Sequence, residues 1–242
     1  MIGMSDLLDI AIAAHGGLER WSQFRTLQAE MAIRGAIFVA KRIAGLQDDV
    51  TYEVQLHEER VTVERFGGPN RRLRFLPNRL TLESFEGEII EARDNPRDAF
   101  KDHNPDSSWD ALHLGYFSSY ALWTYLTLPF LYTNPGFVVE EIAPWQEAGE
   151  EWRRLKATFP ANVASHAREQ VTYFGPDGLM RRHDYAVEVL GGAIGANYST
   201  DYREFQGIKV PTIRRVYAYD AMGQKVSEPL LVSIDIEDVS FS

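Results

Sequence analysis

The chain of 242 residues contains no cysteine. Disulfides, thiolate nucleophiles and cysteine-based metal sites are thereby excluded. Basic residues are in the minority, 25 Lys and Arg against 35 Asp and Glu, for a formal net charge of −10. A phosphate backbone would be repelled, which argues against a nucleic-acid partner. No phosphate-binding loop, dinucleotide glycine fingerprint, nucleophile elbow or His-Glu-x-x-His motif occurs. The six histidines, His15, His57, His103, His113, His166 and His183, lack ligand spacing such as His-x-His, and a catalytic metal needs about three protein ligands. The sequence therefore calls for no metal and no cofactor. Met1-Ile2-Gly3-Met4-Ser5-Asp6 has no basic region, and Asp6, Asp9 and Glu19 interrupt any apolar run. No secretion signal is expected, and the cytoplasm is the expected compartment. With no internal repeat or linker, one domain over 1–242 is expected.

Charge is also missing from Ala111 to Val139, and here aromatics crowd in: Tyr116, Phe117, Tyr120, Trp123, Tyr125, Phe130 and Tyr132, with Trp109 just before. The stretch is long enough to span a bilayer. Its polar residues (His113, Ser118, Ser119, Thr124, Thr127), its prolines (Pro129, Pro135) and its acidic flanks argue against that. No transmembrane segment is expected; the stretch reads as a buried helix or lid. Asp106, Ser107 and Ser108 are its candidate caps, and Pro129 breaks it after about Leu128. Trp109, Leu112, Tyr116, Tyr120 and Trp123 fall at steps of three or four and form one stripe. That stripe suits either a solid core or the wall of a cavity.

Around this segment the pattern alternates. Ser5 to Ala14 reads as a helix capped by Ser5 and stopped by Gly16-Gly17, with Trp21 and Phe24 as anchors onto a sheet. Period-two alternation then marks a strand from Leu27 to Ile37, and others at 50–57, 60–64, 72–75, 79–85 and 88–92. The second half continues with Phe137–Ile142, Trp152–Phe159, Arg168–Phe174, Leu179–Val189, Ile194–Arg203, Ile208–Tyr219 and Leu230–Phe241. Gly175-Pro176-Asp177-Gly178 is a hairpin turn. Tight turns at spacings of 8–14 residues predict an antiparallel meander.

Arg181-Arg182-His183-Asp184-Tyr185 is the densest ionisable cluster. Alternation places Arg181, His183 and Tyr185 on one face and Arg182 and Asp184 on the other, so His183 and Asp184 are not a dyad. Arg181, His183 and Tyr185 then form either a polar grip inside a pocket or ordinary core. Arg214 shares an apolar face with Ile208, Val210, Thr212 and Val216. Turned inward, it needs an anionic ligand or a carboxylate, for which Asp184, Asp201 and Glu204 are at hand. Tyr198, on the strand beside it, completes the candidates. The ligand-binding set is Trp109, His113, Tyr116, Tyr120, Trp123, Arg181, His183, Tyr185, Tyr198 and Arg214.

The short helix ending in His15-Gly16-Gly17-Leu18, then Trp21 and a long first strand, resembles the opening of the lipoprotein-localisation-factor-like (LolA/LolB-like) superfamily. The stretches Arg181–Tyr185 and Gly207–Arg215 are similar to that group as well. The resemblance implies a mainly β (α+β) fold: one strongly curved antiparallel half-barrel of about eleven strands, with helices closing its concave face over an apolar cavity. Those carriers are exported and are not enzymes, so no catalytic residue carries over. The expected function is binding of a hydrophobic or amphipathic small molecule. The alternative is a cofactor-independent isomerase, cyclase or lyase using His183, Tyr185 or His113 as acid and base. A third class, a partner-binding module, would require an exposed apolar patch.

Overall fold

The computed structural model describes residues 6–242, so the expected cap at Ser5 lies outside the described residues. Two short helices open it, α1 (Leu7–Ala14) and α2 (Leu18–Trp21). The strands β1 (Thr26–Arg34), β2 (Val50–Gln55), β3 (Val61–Glu64), β4 (Arg71–Leu76), β5 (Arg79–Ser84) and β6 (Ile89–Asp94) follow, with α3 (Ala36–Ala40) after β1. The aromatic segment supplies α4 (Ala111–Thr127). The chain returns through β7 (Val138–Glu147), β8 (Glu150–Thr158), β9 (Glu169–Phe174), β10 (Met180–Val187), β11 (Ala193–Phe205), β12 (Ile208–Tyr219), β13 (Lys225–Val226) and β14 (Val232–Phe241).

Among the described residues these fourteen strands, three more than expected, form one antiparallel sheet. Its order is β6-β5-β4-β3-β2-β1-β14-β12-β11-β10-β9-β8-β7, with β13 beside β12. The sheet is open, since β6 and β7 are its two edges. The chain leaves at one edge and re-enters at the other, so α4 is the crossover and must run across a face of the sheet. It packs on β2 to β5 in the first half and faces β10, β11, β12 and β14 in the second. The sheet therefore curves around the helix as a half-barrel does.

Burial follows from that wrapping. Every residue from Leu112 to Thr127 is buried, so the helix is apolar all round rather than striped, as a central helix must be. Asp110 caps it, accepting from the His113 backbone N–H at 2.8 Å. The His113 ring completes a capping box by accepting from the Asp110 backbone. The cap thus falls later than Asp106, Ser107 or Ser108. A Cβ on Gly115 would meet two Leu73 methyl groups at 2.8 Å, so glycine permits the close approach to β4. Trp21 stacks on Phe130 with centroids 4.3 Å apart, and Phe24 packs on Phe241 at 5.0 Å.

Two strand expectations shift. The first strand ends at Arg34 rather than Ile37: Gly35 adopts φ 144 close against the Leu231 carbonyl, and Ala36–Ala40 turn into helix. In β10 the register slips between Met180 and Arg182. Arg181 is the extra residue of a bulge, so strict alternation fails there. Met180 faces the core with Phe174, while Arg182 sits across from Tyr173 on the outer face.

Candidate functional site

Between α4 and the second half of the sheet lies a narrow apolar cleft of about 60 Å³. One face of α4 lines it with Phe117, Ser118, Ala121, Leu122 and Tyr125. Opposite stand Tyr185, Gly195, Val216, Val232 and Ile234, with Ile33 and Phe38 at one end. Ile33 and Phe38 also form part of a wider recess of about 360 Å³, together with Val39, Ile43, Leu46 and Leu114. Ile33 on β1 and Phe38 on α3 therefore form the partition between recess and cleft. Val39, next to Phe38, is 67% exposed.

The interior end of the cleft is polar. Tyr120 Oη lies 3.1 Å from His166 Nδ1, Tyr125 Oη lies 2.8 Å from His166 Nε2, and Tyr125 donates to the Tyr185 hydroxyl. One proton arrangement satisfies all three: Tyr120 donates to Nδ1, and Nε2–H donates to Tyr125. That makes His166 a neutral imidazole. Burial, then the neighbouring His183 and Arg97, hold its pKa well below the usual value. The loop carrying His166 is fastened on both sides, by Arg97 donating to Ser165 at 3.0 Å and by the His166 carbonyl accepting from Glu188 at 2.9 Å.

Beside this chain sit buried polar groups with unused capacity. Arg214 is 1% exposed. It donates from Nη1 to Ser199 Oγ at 2.9 Å and from Nη2 to the Tyr125 carbonyl at 2.7 Å, while Nε has no partner. It pairs with no carboxylate among the described residues. The three acids that sequence proximity offered are elsewhere: Asp184 binds Arg182 on the outer face, Asp201 engages Thr212 and Arg203, and Glu204 is exposed. Both ring nitrogens of His183 are also unbonded, and the Asn197 amide reaches only the Tyr125 hydroxyl. Burial, with the Arg214 charge nearby, pushes His183 down to about 3. A buried polar group left unpaired costs roughly 1–3 kcal/mol, and a charged one more. Three such groups short of partners are an unusual burden for plain core.

The structure brings Tyr120, His183, Tyr185 and Arg214 together at the interior. The other sequence candidates lie apart. Trp109 packs against Phe117 at 5.0 Å and Phe100 at 5.7 Å. His113 serves the helix cap and lies about 18 Å from Tyr125 along the helix axis, at 1.5 Å per residue. Tyr116 packs on Phe75 and Phe100 and borders a broad outer groove. Trp123 donates from Nε1 to the Gln55 carbonyl at 2.8 Å, tying α4 to β2. Arg181, in the bulge, pairs with Asp177 at 2.9 Å. Tyr198 is on the outer face, where its hydroxyl donates to Glu147.

Tyr125, His166, Asn197 and Ser199 were not singled out from the sequence. Tyr125 had a signal: Phe117, Ala121 and Tyr125 repeat at four and form a second stripe beside the one read. His166 sits in a loop and had no periodic signal at all.

The broad outer groove, about 470 Å³, is one of several further concavities, another of about 680 Å³ lying around Trp145, Tyr173 and Tyr219. Within the broad outer groove Arg97 bonds Glu188 at 2.5 Å.

Two solved structures share this architecture. A LolA superfamily protein from Nitrosomonas europaea matches with a TM-score of 0.50 and 11% identity, over 93% of this chain and 91% of that one. A domain described as an outer membrane lipoprotein-sorting protein, from Vibrio parahaemolyticus, matches with a TM-score of 0.50 and 11% identity, over 97% and 92%. The fold is LolA-like. No family model matches the sequence, and no curated protein matches it. Within the LolA-like frame, the described residues contain no helix long and apolar enough to cross a membrane.

Proposed function

We propose that this LolA-like protein binds a hydrophobic or amphipathic small molecule between α4 and the concave face of the sheet. The observation that carries the reading is the apolar cleft, which shares Ile33 and Phe38 with a recess of about 360 Å³. The cleft has room for about two waters, at ~30 Å³ each. Small-molecule sites run to about 300–1,000 Å³. Binding therefore requires the cleft to widen, which movement of Ile33 and Phe38 would do by joining the recess to it. α4 is fastened to the first half through Trp123–Gln55 and Ser118–Gln47 and to the second through Tyr125, which bonds Tyr185 and accepts from Arg214, so the cleft lies between two fastened sides. The lipoprotein-sorting description of the Vibrio domain supports an apolar cargo for this architecture.

The acid–base alternative draws on the Tyr120–His166–Tyr125–Tyr185 chain. A general base works best with a pKa near the working pH. His183 is held at about 3 by burial, and both nitrogens of His166 are engaged. Binding is the reading these groups favour. The test is titration with the neutral apolar fluorophore N-phenyl-naphthylamine. Saturable binding that an alkyl alcohol displaces supports the proposal; an unsaturable or absent signal contradicts it.

A further inference from the structure

The interior polar groups define what kind of amphipath fits. We infer that the ligand is a long-chain carboxylate, with its tail in the apolar cleft and its carboxylate received by Arg214, His183 and Asn197. The inference rests on the binding reading above and specifies its ligand.

Placement comes first. Arg214 on β12 is directly paired with Ile234 on β14 and with Ser199 on β11. Ile234 lines the cleft, and so does Val216, two residues on along the same face of β12. Tyr125, whose carbonyl accepts from Arg214, lines it as well. His183 and Asn197 are paired with each other across β10 and β11. The guanidinium, the imidazole and the amide thus occupy three adjacent strands, each two residues along the same face from a cleft-lining residue: Val216, Tyr185 and Gly195.

Chemistry comes next. A guanidinium has five N–H donors in a rigid fork that matches a carboxylate. Two of those of Arg214 have partners, and Nε is free. The Asn197 amide reaches only the Tyr125 hydroxyl, and His183 is a neutral ring with both nitrogens unbonded. A neutral imidazole and an amide each offer an N–H donor to an anion without adding charge. One monoanion would therefore answer the unpaired charge and both dipoles at once. A cationic head would be repelled by Arg214, and an uncharged one would leave it unpaired. A single carboxylate also matches the single unpaired cation, whereas a dianionic head would bring a net negative charge into the interior.

The test compares heads on one tail. Tetradecanoate, tetradecanol and tetradecylamine are titrated into the whole protein by calorimetry, below their aggregation limits and at a pH where the acid is ionised. The carboxylate is expected to bind at least about tenfold tighter than the alcohol, as charge-assisted pairing in a buried site provides. Arg214→Met is expected to bring the carboxylate down to the level of the alcohol. Equal affinity for acid and alcohol in the native protein overturns the carboxylate inference while the apolar-binding reading stands. Preference for the acid that survives Arg214→Met overturns the assignment to Arg214. If none of the three binds, the cleft reading itself fails. The head comparison needs no variant, so a substitution that fails to fold leaves the test intact.

Discussion

Arg214 Nη2 donates to the backbone carbonyl of Tyr125 at 2.7 Å, so the cation of β12 is tied to the central helix rather than to a carboxylate. On the opposite face of the same sheet, Arg182 is treated differently. It bonds Asp184 through Nε at 2.6 Å and Nη2 at 2.8 Å and Glu147 at 3.0 Å, with four aromatic rings within 5.6 Å. Two arginines buried to 1% or less thus have opposite electrostatic settings.

Their substitutions are expected to differ accordingly. Arg182→Met strands Asp184 and Glu147 and should cost about 3–5 kcal/mol, as breaking a buried pair does. Arg214→Met removes an uncompensated charge and forfeits two hydrogen bonds. The unliganded protein should then change by less than about 1 kcal/mol or become more stable. Urea unfolding of both variants checks the contrast.

Filling the cleft should block it. Ala121 faces the cleft from α4, and Ala121→Leu adds three carbons to a space of about 60 Å³. Affinity for an alkyl ligand should fall at least about tenfold, at a stability cost of roughly 1–3 kcal/mol from overpacking. Fluorophore titration and thermal melting, read together, separate the two effects.

Phe38 should control access. Phe38→Ala removes the larger part of the partition between recess and cleft, leaving Ile33. Stopped-flow mixing should show faster association, with a destabilisation of about 3–5 kcal/mol for a lost buried ring. An unchanged association rate would place the route elsewhere.

Stability should peak near pH 6.5. Burial lowers His183 to about 3 and His15 to about 4 from 6.5. The unfolded chain therefore binds more protons than the folded one below pH 6.5, and stability falls on acidification toward pH 3. Glu59 runs the other way, raised by burial from 4.5 to about 8. There the folded state holds the extra proton, so stability falls as pH rises toward 8. Above pH 6.5 the histidines no longer offset it. Urea midpoints across this range should show both limbs, and Glu59→Gln should flatten the alkaline one.

Much of the fold was legible because alternation and turn chemistry are local. The Gly175–Gly178 turn does join β9 to β10, with Gly178 N donating to the Gly175 carbonyl at 2.9 Å. The inward turn of Arg214 and the opposite faces of His183 and Asp184 followed from period two. Arg181 did not, because a bulge is set by cross-strand register rather than by its own strand's pattern. His113 looked like an interior group, yet the cap at Asp110 depends on where the helix begins, which composition leaves loose by several residues. The pairing of His166 with Tyr120 and Tyr125 joins a loop to a helix more than forty positions away, a contact that periodicity does not encode.

The most direct test of the central claim is native mass spectrometry of freshly purified protein, followed by mass analysis of its denatured organic extract. The binding account expects an apolar or amphipathic adduct on the folded protein, lost on denaturation, or one formed stoichiometrically when an alkyl ligand is added. A protein that stays at its bare mass in both experiments would contradict it.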